Sequence, residues 1–340
     1  MTTQASNDRV TLAEVAEEAG VSLSTISKVL NGRTDVSAGT RARVEDLLAK
    51  RGYARRVGAD SGRSQLVELV FHELESSWSM EIIAGVESVA KEHGLSVVLT
   101  ESGSRHSPGP EWIEGVMRRR PAGIVLVFSD LLPEYRARLD SRAIPFVIID
   151  PAGDPSPDVP SVGSANWSGG LIATRHLIEL GHRRIAAITG PEDMMCSLAR
   201  VDGYRSAMNA AGLPIDPAWI RFGDFHVEGG RSHSEALLSM ADAPTAIFAG
   251  SDLQALGVYE TARARGIRIP DDLSVVGYDD IALTRWVSPR LTTVIQPLRR
   301  MGEEATRIVL RMAAERPETT PRIDLATSLV VRESTAAPHA

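Results

Sequence analysis

The sequence predicts a chain of two parts, a short all-α unit at the N-terminus and a large α/β body made of two doubly wound parallel sheets. Apolar residues recur at helical spacing between residues 11 and 51. From residue 65 onward, short continuous apolar runs alternate with helical patterns, which is typical of parallel strands covered on both faces. With 340 residues, the chain is long enough for two or three domains.

The composition excludes several classes of protein. No run of about 18 uncharged apolar residues is present, so we expect no membrane span. Residues 1–10 lack the apolar segment of a signal peptide, and the single cysteine, Cys196, cannot form an internal disulfide. These features predict a cytoplasmic protein. The eight histidines show no metal-ligand spacing, and we expect neither a metal nor a cofactor.

Three helices are predicted in the N-terminal unit. Thr11 is a suitable N-cap with Glu14 three residues on, and Gly20 ends this first helix. Ser22 and Ser37 are the expected N-caps of the second and third helices. The expected apolar faces consist of Leu12, Val15, Ala16 and Ala19, of Ile26, Val29 and Leu30, and of Val44, Leu47 and Leu48.

The first two helices and the turn between them form a helix-turn-helix pattern, in which the second helix would enter a DNA major groove. Ser24 and Lys28 lie one turn apart on its polar face, with Thr25 and Ser27 beside them and Leu23 at the apolar edge. Residues 21–34 contain no acidic residue, which suits contact with bases and phosphates. The alternative is a helical bundle with a solvated polar face.

Charge and linker composition agree with a local DNA contact. The net charge is −7, but residues 1–63 carry +2 and the remainder −9, so a slightly basic unit precedes an acidic body. Residues 54–64 are rich in Gly, Ser and Arg and predict a linker. Arg55, Arg56 and Arg63 could contact the DNA backbone or minor groove from it. The alternative is a flexible tether.

The body is expected to fold as two similar halves, because Pro-rich residues 151–160 separate two series of strand and helix patterns. A second crossing is expected at residues 288–297. The predicted boundaries are a head of 1–53, a linker of 54–64 and a body of 65–340, with a first half of 65–155 plus 295–320 and a second half of 160–290 plus 321–334. In such a fold, a ligand binds outside the carboxyl ends of the strands, here between the halves.

Several side chains are candidates for that cleft. Asp150 and Asp279 each end a strand in a different half, and opposed carboxylates suit the adjacent hydroxyls of a sugar. Arg200 follows a strand and offers a planar donor fork. Trp78 follows the first strand, and packing is its alternative role. An aspartate after a strand is also commonly a turn or cap residue.

No catalytic motif emerges from the sequence. Phosphate-loop, nucleophile-elbow and dinucleotide-binding patterns are absent. Cys196 and His182 show no spacing that supports a thiol nucleophile. We therefore expect that the chain is not an enzyme.

The segment VTLAEVAEEAGVSLSTISKVLNGRTDVSAGTRARVEDLLAKRGY resembles the DNA-binding head of the LacI/GalR (lactose-repressor) family of transcription regulators. GPEDMMCSLARVDGY and SVVGYDDIAL resemble segments of its periplasmic-binding-protein-like body. The resemblance implies that Leu23, Ser24 and Lys28 contact bases. The implied phosphate contacts are Thr11, Ser22, Thr25, Ser27, Asn31, Ser37, Thr40 and Tyr53. The implied effector contacts are Asp150, Arg200, Phe225, Ser251, Asp279 and Gln296.

The resemblance also implies a function. A homodimer would place two heads on a pseudo-palindromic operator, and a small-molecule effector in the cleft would control that contact. A repressor of carbohydrate-utilisation genes with a sugar effector is expected, and a non-sugar metabolite or a protein corepressor is the alternative. FHELESSWSMEI and GDFHVEGG resemble actinobacterial regulators of xylan or xyloside use. The sequence departs from the family at two places. In the family, a leucine of the linker commonly inserts into the DNA minor groove, but residues 54–64 contain no leucine. At the end of the third strand, Val127 stands where the family often has a polar residue.

Overall fold

The computed structural model divides the chain into two compact units, Met1–Gly62 and Arg63–Ala340. The structure describes residues 12–30, 36–50, 64–74, 77–103, 107–128, 130–153, 156–315 and 319–339. None of the helices in these ranges is both long and apolar enough to cross a membrane.

The described part of the N-terminal unit contains the three predicted helices, α1 (Leu12–Glu18), α2 (Leu23–Leu30) and α3 (Ala38–Lys50). Gly20 has a φ of 65°, the left-handed conformation expected where α1 ends. The predicted apolar faces meet in one core. Its buried residues are Val15, Ala16, Ala19, Ile26, Val29, Val44 and Leu48.

The described strands of the body form two six-stranded sheets. The first has the order β11-β5-β4-β3-β1-β2, and all its pairs are parallel. Its strands are β1 (Leu66–Phe71), β2 (Ser96–Glu101), β3 (Gly123–Val127), β4 (Phe146–Ile149), β5 (Ser161–Ser164) and β11 (Arg322–Leu325).

Helices cover both faces of this sheet, and together they form the first lobe. The covering helices are α4 (Ser77–Glu92), α5 (Pro110–Arg119), α6 (Pro133–Ser141) and α11 (Leu298–Ala314). Helices α4 and α11 share one apolar core with the sheet, and α5 and α6 share another on the opposite face. Gly85 allows α4 and α11 to pack closely, because a Cβ there would lie 2.1 Å from the Arg299 carbonyl oxygen.

The second sheet has the order β12-β10-β9-β8-β6-β7, in which only β12 is antiparallel to its neighbour among the described strands. Its strands are β6 (Ile185–Thr189), β7 (Ile220–Phe222), β8 (Ala246–Ala249), β9 (Ser274–Asp279), β10 (Thr292–Ile295) and β12 (Ser328–Val330). The second lobe is completed by α7 (Asn166–Glu179), α8 (Met195–Ala210), α9 (Val227–Leu238), α10 (Asp252–Ala264) and the short 3-10 helices Pro217–Trp219 and Ala282–Arg285.

The predicted boundaries between the halves are wrong at two places. The sequence predicts residues 160–164 in the second half, but β5 pairs with β4 in the first sheet. It also predicts residues 321–334 there, yet β11 pairs with β5 and, of the two strands, only β12 joins the second sheet. The chain therefore crosses after β5, after β10 and between β11 and β12. The short, partly polar sequences SVGS and RIDL carry no local signal of the sheet that they join.

The C-terminal residues lie against two histidines of the second lobe, the buried His182 and the partly buried His176. His182 Nε2 lies 2.9 Å from the Ala336 carbonyl oxygen, and its Nδ1 lies 2.9 Å from Thr245 Oγ1. His176 Nε2 lies 3.0 Å from Thr335 Oγ1. Burial lowers the pKa of both histidines, because the charged imidazolium form is poorly hydrated there.

We expect this histidine pair to lower stability in acid. The pKa of each imidazole is lower in the folded chain than in the unfolded chain, so the unfolded state binds more protons as the pH falls below about 6.5. The free energy of unfolding should decrease between about pH 7.5 and about pH 5.5, and His182→Gln should reduce that pH dependence. Denaturant melts across this range measure it. His93→Gln, at the exposed end of α4, is the control, and an identical effect of both substitutions would contradict the prediction.

Candidate functional site

Strained backbone is concentrated at the carboxyl ends of the strands. Among the described residues, five of the seven non-glycine residues with positive φ follow or end strands on this side. Four of them are Phe128 after β3, Asp150 after β4, Phe225 near the end of β7 and Asp279 at the end of β9, with φ of 50°, 43°, 70° and 114°. Such conformations are unfavourable for non-glycine residues, and they cluster at functional sites.

A cavity of about 330 Å³ lies at these strand ends, between the two lobes. The first lobe contributes Phe71, His72, Glu73, Trp78, Ser79 and Phe128, and the second lobe contributes Pro191, Met194, Arg200, Asp224, Phe225, His226, Ser251, Leu253, Asp279 and Ile281. Five of the predicted effector residues are therefore on its wall. This is the position that the fold predicts for a ligand.

Arg200 on α8 is held firmly beside the cavity. Its side chain is 2% exposed, and its Nε donates to Asn166 Oδ1 at 2.9 Å. Nη1 donates to the Gly250 carbonyl oxygen at 2.5 Å, and Nη2 donates to Gln296 Oε1 at 3.0 Å. Five N–H groups are available on a guanidinium, so two remain for a ligand. Its central carbon lies 3.7 Å from the Tyr278 ring centroid, a cation–π geometry.

Asp150 and Gln296 lie behind the cavity rather than on its wall. Gln296 Nε2 donates to Asp150 Oδ2 at 3.0 Å, and the Ser164 N–H donates to Asp150 Oδ1 at 3.3 Å. Gln296 thus connects the Asp150 carboxylate of the first lobe to Arg200 of the second. Burial raises the pKa of Asp150 to about 6. The two side chains position Arg200 and link the lobes.

Asp279 faces the cavity, whereas its neighbour does not. The Asp279 carboxyl group is buried at the cavity wall, and this burial raises its pKa to about 7. Asp280 instead accepts from Thr284 Oγ1 and from the Arg332 guanidinium. The two adjacent carboxylates therefore have different partners and do not form an acid–base pair.

Aromatic rings from both lobes line the cavity. Trp78 and Phe128 stack in the first lobe with ring centroids 4.7 Å apart and an interplanar angle of 20°. The Phe225 ring lies over Gly190, where a Cβ would be 2.0 Å from its Cε2, and 5.3 Å from the Arg200 guanidinium. Ser251 fixes the Phe225 backbone because its Oγ donates to the Phe225 carbonyl oxygen at 2.7 Å. The lining therefore combines aromatic rings with a few charged side chains, the usual composition of a small-molecule site.

Gly190→Ala is expected to displace the Phe225 ring. The new methyl group cannot share space with the ring, so the ring must move into the cavity and occlude it. We expect effector affinity to fall by about tenfold or more, a loss of about 1.4 kcal/mol. Operator binding without effector should be unchanged, since the head is a separate compact unit. Calorimetric titration measures the loss. Gly109→Ala is the control, because φ is −73° there and a Cβ would meet no atom within 4 Å. Unchanged affinity in Gly190→Ala would refute the prediction.

The structure adds cavity residues that the candidate set omits. Asp224 and His226 flank Phe225 after β7, and His72 follows β1. Asn166 at the start of α7 positions Arg200. The rule that ligands meet the carboxyl ends of strands could have identified the first three. Nothing in the local sequence indicates the contact of Asn166 with Arg200, which depends on the packing of α7 against α8.

The polar face of α2 is exposed as predicted. Leu23 is 54% exposed, and Ser24, Ser27 and Lys28 are also exposed. Ser22 caps α2, because its Oγ accepts the Thr25 N–H at 3.2 Å.

Ser37 caps α3 in the same way, accepting the Thr40 N–H at 3.2 Å. The remaining predicted DNA contacts fall outside the described residues: Thr11, Asn31, Tyr53, Arg55 and Arg56.

A helix-turn-helix head followed by a two-lobed body with a polar cleft defines the class of ligand-controlled DNA-binding regulators. Comparison with known proteins agrees. Residues 11–56 match the family described as bacterial regulatory proteins, lacI family, and residues 174–335 match the periplasmic binding protein-like domain.

Full-length relatives support the same assignment. The chain is 37% identical over 342 residues to the HTH-type transcriptional regulator CelR of Thermobifida fusca, covering 96% of this chain and 98% of the relative. A solved structure of a transcriptional regulator CelR–cellobiose complex is similar with a TM-score of 0.72 and 34% identity, covering 96% of this chain and all of that chain.

The lac repressor dimer bound to operator and the anti-inducer ONPF is similar with a TM-score of 0.70 and 28% identity, covering 97% of this chain and all of that chain. The chain therefore belongs to the LacI family. It is a DNA-binding transcription repressor of that family and not an enzyme, and the predicted family and fold class are confirmed.

Proposed function

We propose that this repressor controls carbohydrate-utilisation genes and that a small sugar in the cleft between the lobes regulates its contact with DNA. One observation carries the proposal, the Asp279 carboxylate and the Arg200 guanidinium beside aromatic rings of both lobes. A carboxylate accepts hydrogen bonds from adjacent hydroxyls, a guanidinium donates to ring and hydroxyl oxygens, and aromatic faces cover the apolar side of a sugar ring.

Xylose and xylo-oligosaccharides are the specific effectors that we propose, and cellobiose is the next candidate because a similar regulator binds it. A thermal melt with a panel of mono- and oligosaccharides tests the proposal, since a ligand that binds the folded state raises the melting temperature. Purines and other non-sugar metabolites belong in the same panel. A rise with a purine and none with any sugar would favour the alternative effector class, and a protein corepressor would leave the whole panel without effect.

On DNA, we propose that α2 lies in the major groove. Leu23, Ser24 and Lys28 would contact bases, as their exposure permits. The phosphate contacts that we propose are Thr11, Ser22, Thr25, Ser27, Asn31, Ser37, Thr40 and Tyr53. Arg55 and Arg56 would contact the backbone or minor groove from the linker.

Lys28→Ala tests base contact. We expect specific operator binding to weaken by about 1–3 kcal/mol, while binding to random DNA changes much less. Titrations of both DNAs at one salt concentration measure the difference. Lys50→Ala is the control, because Lys50 on α3 forms an ion pair with Asp46. Equal losses on both DNAs would make Lys28 a phosphate contact instead.

We propose that the repressor acts in the cytoplasm as a homodimer on a pseudo-palindromic operator. An apolar patch on the second lobe supports a dimer contact there. It consists of Leu283, Trp286 and Val331, and Trp286 is 82% exposed. The segments that carry these residues are joined by Arg332, whose Nη1 donates to Thr284 Oγ1 at 3.1 Å. Exposed apolar patches commonly mark protein interfaces.

A further inference from the structure

Acidic side chains outnumber arginine and lysine in the described lining of the cleft. Among the described lining residues, Glu73 comes from the first lobe, and Asp224 and Asp279 come from the second. Arg200 is the only arginine or lysine in that set. An anionic ligand would therefore enter a narrow space between like charges, where low dielectric strengthens their repulsion.

The basic side chains of the cleft already contact protein oxygens. One N–H on each of the three nitrogens of the Arg200 guanidinium donates to a protein oxygen, so a phosphate or carboxylate would find only two of its five N–H groups available. His226 Nε2 lies 3.6 Å from Glu73 Oε1 across the cleft, and His72 Nε2 lies 3.5 Å from Glu73 Oε2. Both imidazoles are thus oriented toward the same carboxylate.

A carboxylate of the chain itself occupies one helix N-terminus at the cleft. The Asp224 Oδ1 atom accepts the His226 N–H at 2.9 Å, immediately before α9, and a Cβ on Gly229 would lie 2.2 Å from the same oxygen. At the start of α10, Ser251 Oγ accepts the Gln254 N–H at 3.0 Å. A helix N-terminus is the ordinary binding position for a phosphate, and here side-chain oxygens of the chain already accept N–H groups at both.

We infer that the cleft admits uncharged sugars and rejects their anionic forms, the sugar phosphates and uronates, because the carboxyl groups of Asp224, Asp279 and Glu73 line the space that an anion would enter. This inference rests on the proposed effector cleft and narrows its ligand class. Sugar oxygens carry no net charge, so a neutral ligand can use Asp279 as an acceptor and the remaining N–H groups of Arg200 as donors without introducing a like charge.

Matched sugars test the inference on the full chain. Glucose, glucuronamide and glucuronate differ at one carbon, and cellobiose with its uronamide and uronate provides the same series in a longer ligand. In calorimetric titrations at low salt, we expect the uronate to bind about tenfold or more weakly than the amide. Asp224→Asn keeps an oxygen that can accept the His226 N–H but removes the charge, so it should reduce the ratio of amide affinity to uronate affinity. Asp216→Asn changes an exposed cap outside the cavity and should leave that ratio unchanged.

Phosphates provide a test that does not depend on sugar binding. Inorganic phosphate, glucose 6-phosphate and AMP should not bind in the cleft. Any rise in melting temperature that they cause should therefore be equally large in the Gly190→Ala variant. A rise in melting temperature that is lost in Gly190→Ala, or a uronate that binds as tightly as its amide, would overturn the inference. Failure of every neutral sugar to bind would refute the sugar effector instead, and the phosphate arm would still decide whether anions are excluded.

Discussion

Replacing Asp279 by asparagine is expected to abolish the effector response while operator binding survives. The carboxylate is buried at the cavity wall, and in the proposed site it would accept hydrogen bonds from ligand hydroxyls. Each hydrogen bond to a charged group contributes about 1.5–3 kcal/mol, so losing the charge at two hydroxyls should weaken effector binding by about 100-fold or more. Asparagine has nearly the same shape and replaces a carboxyl group whose charged form is disfavoured by burial, so the fold should persist.

Fluorescence anisotropy of labelled operator DNA measures its release by the effector, and calorimetry measures effector affinity. The control is Asp280→Asn, which makes the same substitution at the adjacent residue. The Asp280 carboxylate accepts hydrogen bonds from Thr284 and Arg332 and does not line the cavity. This control variant should keep the effector response even if the substitution lowers stability. A normal response in Asp279→Asn would remove Asp279 from the effector site.

The raised pKa of Asp279 adds a pH dependence to the same prediction. In the free protein the pKa is about 7, and hydroxyl donors in the complex stabilise the charged form and lower it. Binding therefore releases a proton, and effector affinity should rise with pH through about pH 6–8, by at most about tenfold per unit. Calorimetry in buffers of different ionisation enthalpy detects the released proton. Asp279→Asn should flatten this dependence, and an affinity that falls as the pH rises would contradict the assignment.

Trp286→Glu is expected to abolish dimerisation and to reduce operator affinity by about 100-fold or more. Burying a carboxylate in an apolar contact is strongly unfavourable. Once the two heads are no longer linked, the second half-site loses the advantage of intramolecular binding, which commonly amounts to about 10²–10⁴ in affinity. Sedimentation equilibrium measures the oligomeric state, and titration of operator DNA measures the affinity.

The control for Trp286→Glu is Leu132→Glu, which places the same charge at an exposed apolar residue of the first lobe. It should leave dimerisation and operator affinity intact. Effector binding should remain in Trp286→Glu, which would show that the body is folded. A fully dimeric Trp286→Glu protein with normal operator affinity would exclude this patch as the dimer interface.

These predictions depend on coupling between the lobes. Arg200 of the second lobe contacts Gln296, which bonds to Asp150 of the first, so the cleft wall is continuous with a buried connection across both lobes. An effector that binds one relative position of the lobes more tightly shifts the equilibrium by that difference in free energy, commonly about 1–3 kcal/mol.

Local spacing in the sequence determined the three head helices and most of the alternating strands and helices of the body. It also placed Asp279 and Phe225 at strand ends, because apolar periodicity and turn residues act over a few neighbouring residues. Chemical type and resemblance to a known family then made these residues and Arg200 candidates for the effector site.

Tertiary structure alone decided which lobe the short strands join and which candidates touch the cavity. The pairing of Ser161 with Ile148 and of Arg322 with Ser161 spans long separations in the chain. Asp150 and Gln296 lie behind Arg200 because of contacts between distant segments. Periodicity is a property of near neighbours, whereas sheet membership and the wall of a cavity arise from packing between residues that the sequence does not mark as partners.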